Sequence, residues 1–142
     1  MNKNGIVDIF GGFGNQIFQF CFANSLKNKN LSITINTRDF QRVAKENSPL
    51  LTARKLVLPV EYFEFDEATS KEFRSYKLKK LIYESKFTKK LTNQNIYKSF
   101  NDKNYSDSEF KKFNRFTGNW QSLNVLNENK DFIKTSLSKN NI

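Results

Sequence analysis

A glycine-rich turn between a strand-like run and a helix-like run constrains the fold of this chain more than any other feature. Residues 5–10, GIVDIF, are apolar and rich in β-branched side chains, which is typical of a buried strand. Residues 15–28 carry apolar side chains on nearly every helical face, and residues 31–37, LSITINT, alternate as a strand does. This order predicts a βαβ unit in which the two strands are parallel.

Three of the chain's five glycines, Gly11, Gly12 and Gly14, lie in this turn. Glycine permits a positive φ and lets a ligand approach the backbone without meeting a Cβ atom. A helix that begins just after such a turn offers free N–H groups and a partial positive charge. Asn15 and Gln16 add side-chain amides, which both donate to and accept from hydroxyl groups. The turn is therefore a candidate site for a sugar or a nucleotide.

The turn matches neither of the two common phosphate-binding fingerprints. Ile17 stands where the dinucleotide fingerprint has its third glycine, and no glycine precedes a Lys-Ser or Lys-Thr pair. A purely structural interpretation therefore stays open, in which the glycines form a tight strand-to-helix turn and Asn15 caps the helix.

The rest of the chain is predicted to alternate further strands and helices, which makes the whole an α/β domain of ordinary size. The predicted elements are a strand or loop at 55–65, one basic amphipathic helix or two short ones at 70–91, a strand at 95–100, a strand at 115–122 that ends in a turn at Gly118, and a helix at 124–137.

The composition removes several kinds of chemistry. No histidine occurs among the 142 residues, which excludes the most common general base and the most common metal ligand. Cys21 is the single cysteine, so no intramolecular disulfide can form, and we expect it to be a small buried hydrophobe. Asp8 and Asp39 flank the βαβ unit, but the sequence alone cannot place two carboxylates across a site. We therefore assign no catalytic residue and expect neither a metal nor a bound cofactor.

Two stretches resemble the bacterial α-1,2-fucosyltransferases of glycosyltransferase family 11. Residues 11–26, GGFGNQIFQFCFANSL, are similar to the family's opening signature, Gly-Gly-x-Gly-Asn-Gln, a hydrophobic residue, Phe-Gln-(Tyr/Phe), then Phe-Ala and Leu. Residues 118–122, GNWQS, resemble its Gly-(Tyr/Phe/Trp)-x-Gln-Ser segment. The order of elements is similar along the whole chain, but only these two stretches are specific.

The resemblance implies an inverting, metal-independent transfer of L-fucose from GDP-fucose to the 2-hydroxyl of a galactoside, in surface glycan synthesis. It implies a GT-B fold, which has two Rossmann-like domains with the active cleft between them, and residues 1–142 would form the N-terminal, acceptor-side domain. The glycines at 11, 12 and 14 would line the cleft, Asn15 and Gln16 would contact donor or acceptor, and Trp120 and Gln121 would lie near the acceptor. A lone tryptophan is also a common core residue, so a core position for Trp120 is an equal alternative.

The chain departs from the family in one respect. The family continues into a strand carrying His-x-Arg-Arg-x-Asp, whose arginine neutralises the GDP phosphates, and these 142 residues contain no such motif. Stabilisation of the transition state in such transfers depends mainly on that charge compensation. We therefore expect an incomplete GT-B enzyme that lacks the donor domain, is inactive alone and has the missing C-terminal half as a partner. A non-catalytic glycan-binding domain is the alternative.

The net charge of +10 is concentrated in one part of the chain. Residues 69–112 carry 12 basic and 5 acidic side chains, for which a solvated helical face is the simplest explanation. The open alternatives are docking on the anionic inner membrane surface, where lipid-linked glycan acceptors reside, and binding of a nucleic acid. Nucleic acid is the less expected partner, because no recognised module with surface aromatics is present. Without a predicted signal peptide or membrane span, we expect a cytoplasmic protein, peripheral at most to that membrane.

Overall fold

The computed structural model describes four parts of the chain, residues 4–40, 55–72, 98–99 and 115–139. Most of the predicted basic helix at 70–91 and most of the predicted strand at 95–100 lie outside the described residues. None of the helices in the described parts is long and apolar enough to cross a lipid bilayer.

The centre of the fold is a sheet whose strands are all parallel. From one edge to the other the strand order is β3-β2-β1-β5-β4, and every pairing between neighbours is parallel. The α/β class predicted from the sequence is confirmed, and the sheet is compatible with a Rossmann-like domain. The strands are β1 (Asn4–Asp8), β2 (Ser32–Asn36), β3 (Asp66–Glu67), β4 (Lys98–Ser99) and β5 (Arg115–Thr117).

The predicted βαβ unit is confirmed. Strands β1 and β2 pair in parallel from Asn4 opposite Ser32 to Asp8 opposite Asn36. Between them runs α1 (Phe13–Asn28), which begins two residues earlier than the sequence predicted and has Gly12, not Asn15, at its N-cap position. The side chain of Asn15 is therefore not used as a cap.

Aromatic side chains fill the space between the sheet and the helices. The Phe20 ring of α1 stacks on Phe63 with ring centroids 4.2 Å apart, and Phe22 contacts Phe116 of β5 edge-on at 5.7 Å. Phe20 and Phe116 are wholly buried. The predicted strand or loop at 55–65 contributes to this core mainly through a 3-10 turn, Val60–Phe63, which comes just before β3.

The helix predicted at 124–137 is divided in two, α2 (Leu123–Glu128) and α3 (Lys130–Ser138). The break falls at Asn129, whose φ of −110° and ψ of 13° are not helical. Its buried amide donates to the carbonyl of Val125 and to Ser25 Oγ, and accepts a bond from Asn24, each at 2.8 Å. Asparagine side chains compete with helix hydrogen bonds in this way, and here the competition ties both helices to α1.

The two faces of the sheet differ in polarity. Side chains alternate between faces along a strand, so the residues that contact α1, among them Val7, Ile35 and Phe116, lie on one face. Their neighbours Asp8, Asn36, Arg115 and Thr117 project from the other face. Three of these, Asp8, Asn36 and Thr117, are the last residues of their strands. A polar group of side chains therefore lies at the carboxyl edge of the sheet, beside the turn that contains Gly11 and Gly12.

Candidate functional site

The turn after β1 requires glycine at one position. Gly11 has a φ of +79°, and a Cβ added to it would lie 2.9 Å from Nδ2 of Asn15. An alanine there would meet both backbone strain and a steric clash. A Cβ at Gly14 would meet no atom within 4 Å, and Gly12 has an ordinary φ of −82°. Gly11 is therefore the member of the predicted trio whose missing Cβ leaves room for the side chain of Asn15.

Gln16 is fully buried, and its amide is bonded to backbone on four sides. Its Nε2 donates to the carbonyl of Gly11 at 3.1 Å and to that of Lys55 at 3.0 Å. Its Oε1 accepts from the N–H groups of Val57 at 3.0 Å and Leu58 at 3.3 Å. The two donor and two acceptor positions of the amide are therefore all occupied by the backbone. In this structure Gln16 positions the turn, and direct contact with a ligand stays a prediction.

Gln19 makes a second buried connection of the same type, one turn further along α1. Its Oε1 accepts from the N–H of Phe10, and its Nε2 donates to the carbonyl of Gly118, both at 3.0 Å. The first partner lies in the turn after β1 and the second in the turn after β5. Gln19 therefore holds together the two loops that carry the sequence motifs.

Asn15 and Gln121 meet in space although they are 106 residues apart, with Gln121 Nε2 donating to Asn15 Oδ1 at 2.7 Å. Gln121 is exposed and Asn15 is half-buried. In this arrangement Asn15 Nδ2 stays a donor and Gln121 Oε1 stays an acceptor. A neighbouring donor and acceptor match the two bonding modes of a hydroxyl group. The structure thus brings together two of the residues that the sequence proposed for one site.

Trp120, which precedes Gln121 in the loop after β5, lies in the core. Its ring is 6% exposed and stacks on Phe22, with centroids 3.7 Å apart and planes 2° from parallel. The backbone φ of +55° is one that bulky residues rarely adopt. In this turn the indole enters the core while the next residue, Gln121, is exposed. The burial of Trp120 favours its interpretation as a core residue. A contact between its ring and a sugar stays a prediction, which the low exposure of the side chain does not support.

A cavity of about 440 Å³ opens at the carboxyl edge of the sheet, on the polar face. Its wall is made by the ends of β1, β2 and β5 and by the residues that follow β1 and β2. A volume of this size lies within the range of small-molecule sites, about 300–1,000 Å³. The described residues that line it are Asp8, Phe10, Asn36, Arg38, Asp39, Arg115 and Thr117.

A paired carboxylate forms the floor of this cavity. Asp8 is 5% exposed, and its Oδ2 lies 2.8 Å from Nε of Arg115. Its Oδ1 accepts from Nδ2 of Asn36 at 2.6 Å and from Arg115 Nε at 3.1 Å. Asn36 is itself held by the N–H of Arg38, at 3.4 Å from its Oδ1. One side chain from each of the three central strands thus meets at one point, at the position where the order of an open parallel sheet reverses and ligands bind.

Sequence reasoning missed Gln19 and Arg115. Gln19 lies in the otherwise apolar run IFQFCFA, and a polar residue on a buried helix must find partners inside the protein. That signal was present and could have marked Gln19 as a bridging residue. No comparable signal marks Arg115, because only the pairing of β5 beside β1 brings it to Asp8.

Within the described ranges, no group of three or more cysteine, aspartate or glutamate side chains is arranged to hold a metal ion. The expectation that the protein needs no metal and no cofactor stays a prediction. Comparisons of the chain with protein families, with curated proteins and with solved structures find no match. Any functional assignment therefore depends on the two sequence motifs and on the geometry at the carboxyl edge.

Proposed function

We propose that this chain is the acceptor-side domain of a GT-B α-1,2-fucosyltransferase and supplies one wall of its sugar-binding cleft. The observation that carries the proposal is the hydrogen bond of 2.7 Å between Gln121 and Asn15. These two residues belong to the two stretches that resemble family 11, and they meet at the carboxyl edge of a parallel sheet. Such an edge is where open α/β folds bind their ligands.

The remaining chemistry of the pair suits a sugar. Asn15 keeps an amide donor and Gln121 keeps a carbonyl acceptor, so together they can read one hydroxyl as acceptor and donor. Gly11 leaves room for the Asn15 side chain, and the buried amides of Gln16 and Gln19 hold the loops on either side. Binding sites need such support because small shifts of the contacting groups cost affinity.

In the reaction, this domain would orient the galactoside so that its 2-hydroxyl faces the donor sugar. The donor, GDP-fucose, would be bound chiefly by the other domain of the enzyme, whose arginine would neutralise the phosphates. Correct placement of two reactants is itself a large part of such catalysis. The described residues would therefore affect acceptor binding more than the chemical step, and the chain by itself would transfer no fucose.

The proposal is tested by titrating the ¹⁵N-labelled chain with methyl β-D-galactoside and, separately, with GDP-fucose. We expect the galactoside to shift the side-chain amide signals of Asn15 and Gln121, with an affinity near the millimolar range. Gln121→Ala should weaken that binding about fivefold, since one net hydrogen bond contributes about 1 kcal/mol. Asn119→Ala, which removes another exposed amide from the same turn, is the matched control and should not change the affinity.

The alternatives predict different results in the same experiment. A glycan-binding domain without catalytic function would bind the galactoside and leave every signal unchanged with GDP-fucose, even when a family 11 donor domain is added. A basic interaction protein would instead bind anionic vesicles or DNA in a salt-dependent way. Absence of any galactoside-induced shift at Asn15 and Gln121 would contradict sugar binding by this pair of residues, in the catalytic and in the non-catalytic proposal alike.

A further inference from the structure

The cavity at the ends of β1, β2 and β5 is a second feature of the carboxyl edge, distinct from the Asn15–Gln121 pair. Neither sequence motif includes any of its polar lining residues. Its floor is the carboxylate of Asp8, bonded by Arg115 and Asn36.

Fold stability is a weak explanation for the ion pair between the buried Asp8 and the half-buried Arg115. Removing two charges from water costs several kcal/mol, and a well-packed apolar pair of similar size is often as stable or more stable. Asp8 is 5% exposed, and its carboxylate is bonded by Asn36 and Arg115. A charged cluster at the carboxyl ends of three parallel strands lies where open α/β sheets bind their ligands, so a ligand that it contacts is the better explanation.

Several side chains at the cavity wall have hydrogen-bonding positions that no described residue fills. A carboxylate offers about four acceptor positions, and the described residues fill two at Asp8 Oδ1 and one at Oδ2. To the described residues, Asn36 Nδ2 donates one of its two N–H groups and the Thr117 hydroxyl makes no hydrogen bond. An acceptor, an amide donor and a hydroxyl therefore face one space.

The charge of the wall argues against an anionic ligand. Among the described residues that line the cavity are two carboxylates, Asp8 and Asp39, and two guanidinium groups, Arg38 and Arg115, so the formal charges of this set cancel. Arg115 is paired with Asp8, and Arg38 donates to the carbonyl of Ala68 and to Ser70 Oγ. A phosphate would have to approach two carboxylates, and the described lining residues supply no net positive charge to offset them.

A neutral sugar ring fits the wall better. Carboxylate and amide groups side by side suit adjacent hydroxyls, and the half-buried Phe10 offers an apolar surface for the C–H face of a ring. We infer that the cavity lined by Asp8, Asn36, Arg115 and Thr117 is a binding site for a neutral sugar ring, which it holds through two neighbouring hydroxyls. The inference rests on the proposed function only in taking the sugar to be the galactoside or the next ring of the same glycan.

The test uses the full ¹⁵N-labelled chain and methyl β-D-galactoside, with inorganic phosphate as the second probe. Two reporters belong to the cavity, the Nε–H signal of Arg115 and the side-chain amide of Asn36. We expect the sugar to shift both and phosphate to shift neither. The amide signals of Asn15 and Gln121 report the other site independently.

Variants identify the contact. Thr117→Val keeps the shape of the side chain and removes its hydroxyl, so it should lower the sugar affinity measured from the shifts about fivefold. Thr117→Ser should restore that affinity. Asp8→Asn should weaken binding more, about tenfold or greater, since hydrogen bonds to a charged group are stronger. Thr34→Val is the matched control: the same change on the same face of the sheet, outside the cavity, should leave the affinity unaltered.

Each result decides between the proposals. Shifts at Arg115 and Asn36 that weaken in Thr117→Val support the cavity site, even if Asn15 and Gln121 do not respond and the proposed function fails. Shifts confined to Asn15 and Gln121 overturn the cavity site and leave the proposed function standing. Shifts caused by phosphate in place of the sugar, or equal affinity in Thr117→Val and the parent chain, also overturn it. If Asp8→Asn does not fold, the Thr117 variants decide alone.

Discussion

The buried amide of Gln16 gives the sharpest prediction about stability. In Gln16→Leu the carbonyls of Gly11 and Lys55 and the N–H groups of Val57 and Leu58 lose their partner. An orphaned backbone group costs about 1–3 kcal/mol when it is buried. Three of the four bonds are partly buried and one is buried, so the lower end of that range applies.

The expected net loss is about 2–4 kcal/mol. It results from about 1 kcal/mol for each of the four bonds, reduced by the burial of a more apolar side chain. Urea unfolding followed by circular dichroism measures it, and with a slope of about 2 kcal/mol per molar a loss of 3 kcal/mol lowers the midpoint by about 1.5 M. Hydrogen exchange at the Val57 and Leu58 amides should also become faster.

Gln121→Leu is the matched control, because it removes the same type of amide from an exposed position. There the amide donates one hydrogen bond, to Asn15. Its unfolding free energy should change by no more than about 0.5 kcal/mol. Equal midpoints for Gln16→Leu and Gln121→Leu would refute the reasoning, since the buried amide would then contribute no more than an exposed one.

Three further predictions use the same chain. Gly11→Ala should destabilise the protein by about 1–3 kcal/mol through its positive φ and the clash at 2.9 Å, whereas Gly14→Ala, with open space around it, should be neutral or stabilising by up to about 1 kcal/mol in thermal unfolding. Burial raises the pKa of the Cys21 thiol to about 12, so iodoacetamide should alkylate Cys21 at pH 8 only after unfolding. The free energy of unfolding that the protonated thiol contributes is fully present below about pH 8.5 and is lost as the pH rises toward 12. A free energy of unfolding that does not change over that range would contradict the raised pKa. The hydrogen bond from Lys139 lowers the pKa of the exposed Glu64, so Lys139→Gln should raise that pKa in an NMR titration and leave the unfolding midpoint unchanged.

The part of the fold that could be predicted from the sequence is the part with strong local periodicity. Residues 5–37 contain a strand pattern, a glycine turn and an apolar helix pattern in direct succession, and β1, α1 and β2 appear there. The boundary of α1 was misplaced by two residues because the turn ends at Gly12 and Asn15 has no capping role. The division at Asn129 was missed because its cause is a set of bonds to Asn24 and Ser25, more than 100 residues away.

Part of the candidate site could be predicted because its signals, too, are local in the sequence. The two motifs that contain Asn15 and Gln121 are local strings, and the structure brings these two residues together. The burial of Gln16 and Trp120 depends on tertiary packing, against the segment at 55–58 in the first case and against Phe22 in the second. Amide and indole side chains look alike in a sequence whether they face a ligand or the core.

The two sites proposed for the carboxyl edge share one support. The Gln19 amide bonds Phe10, which lines the cavity, and Gly118, which begins the stretch carrying Gln121. A ligand that shifts Phe10 would therefore change the position of the loop that bears Gln121, and the reverse would hold equally, because coupling between two binding sites is reciprocal. Gln19→Leu should loosen this link. In the parent chain the galactoside affinity reported by Arg115 Nε–H should change when Gln121→Ala perturbs the other site, and in the Gln19→Leu background the same substitution should leave that affinity unaltered. An affinity at Arg115 that Gln121→Ala does not change in the parent chain would mean that the two sites are independent and that Gln19 serves the fold alone.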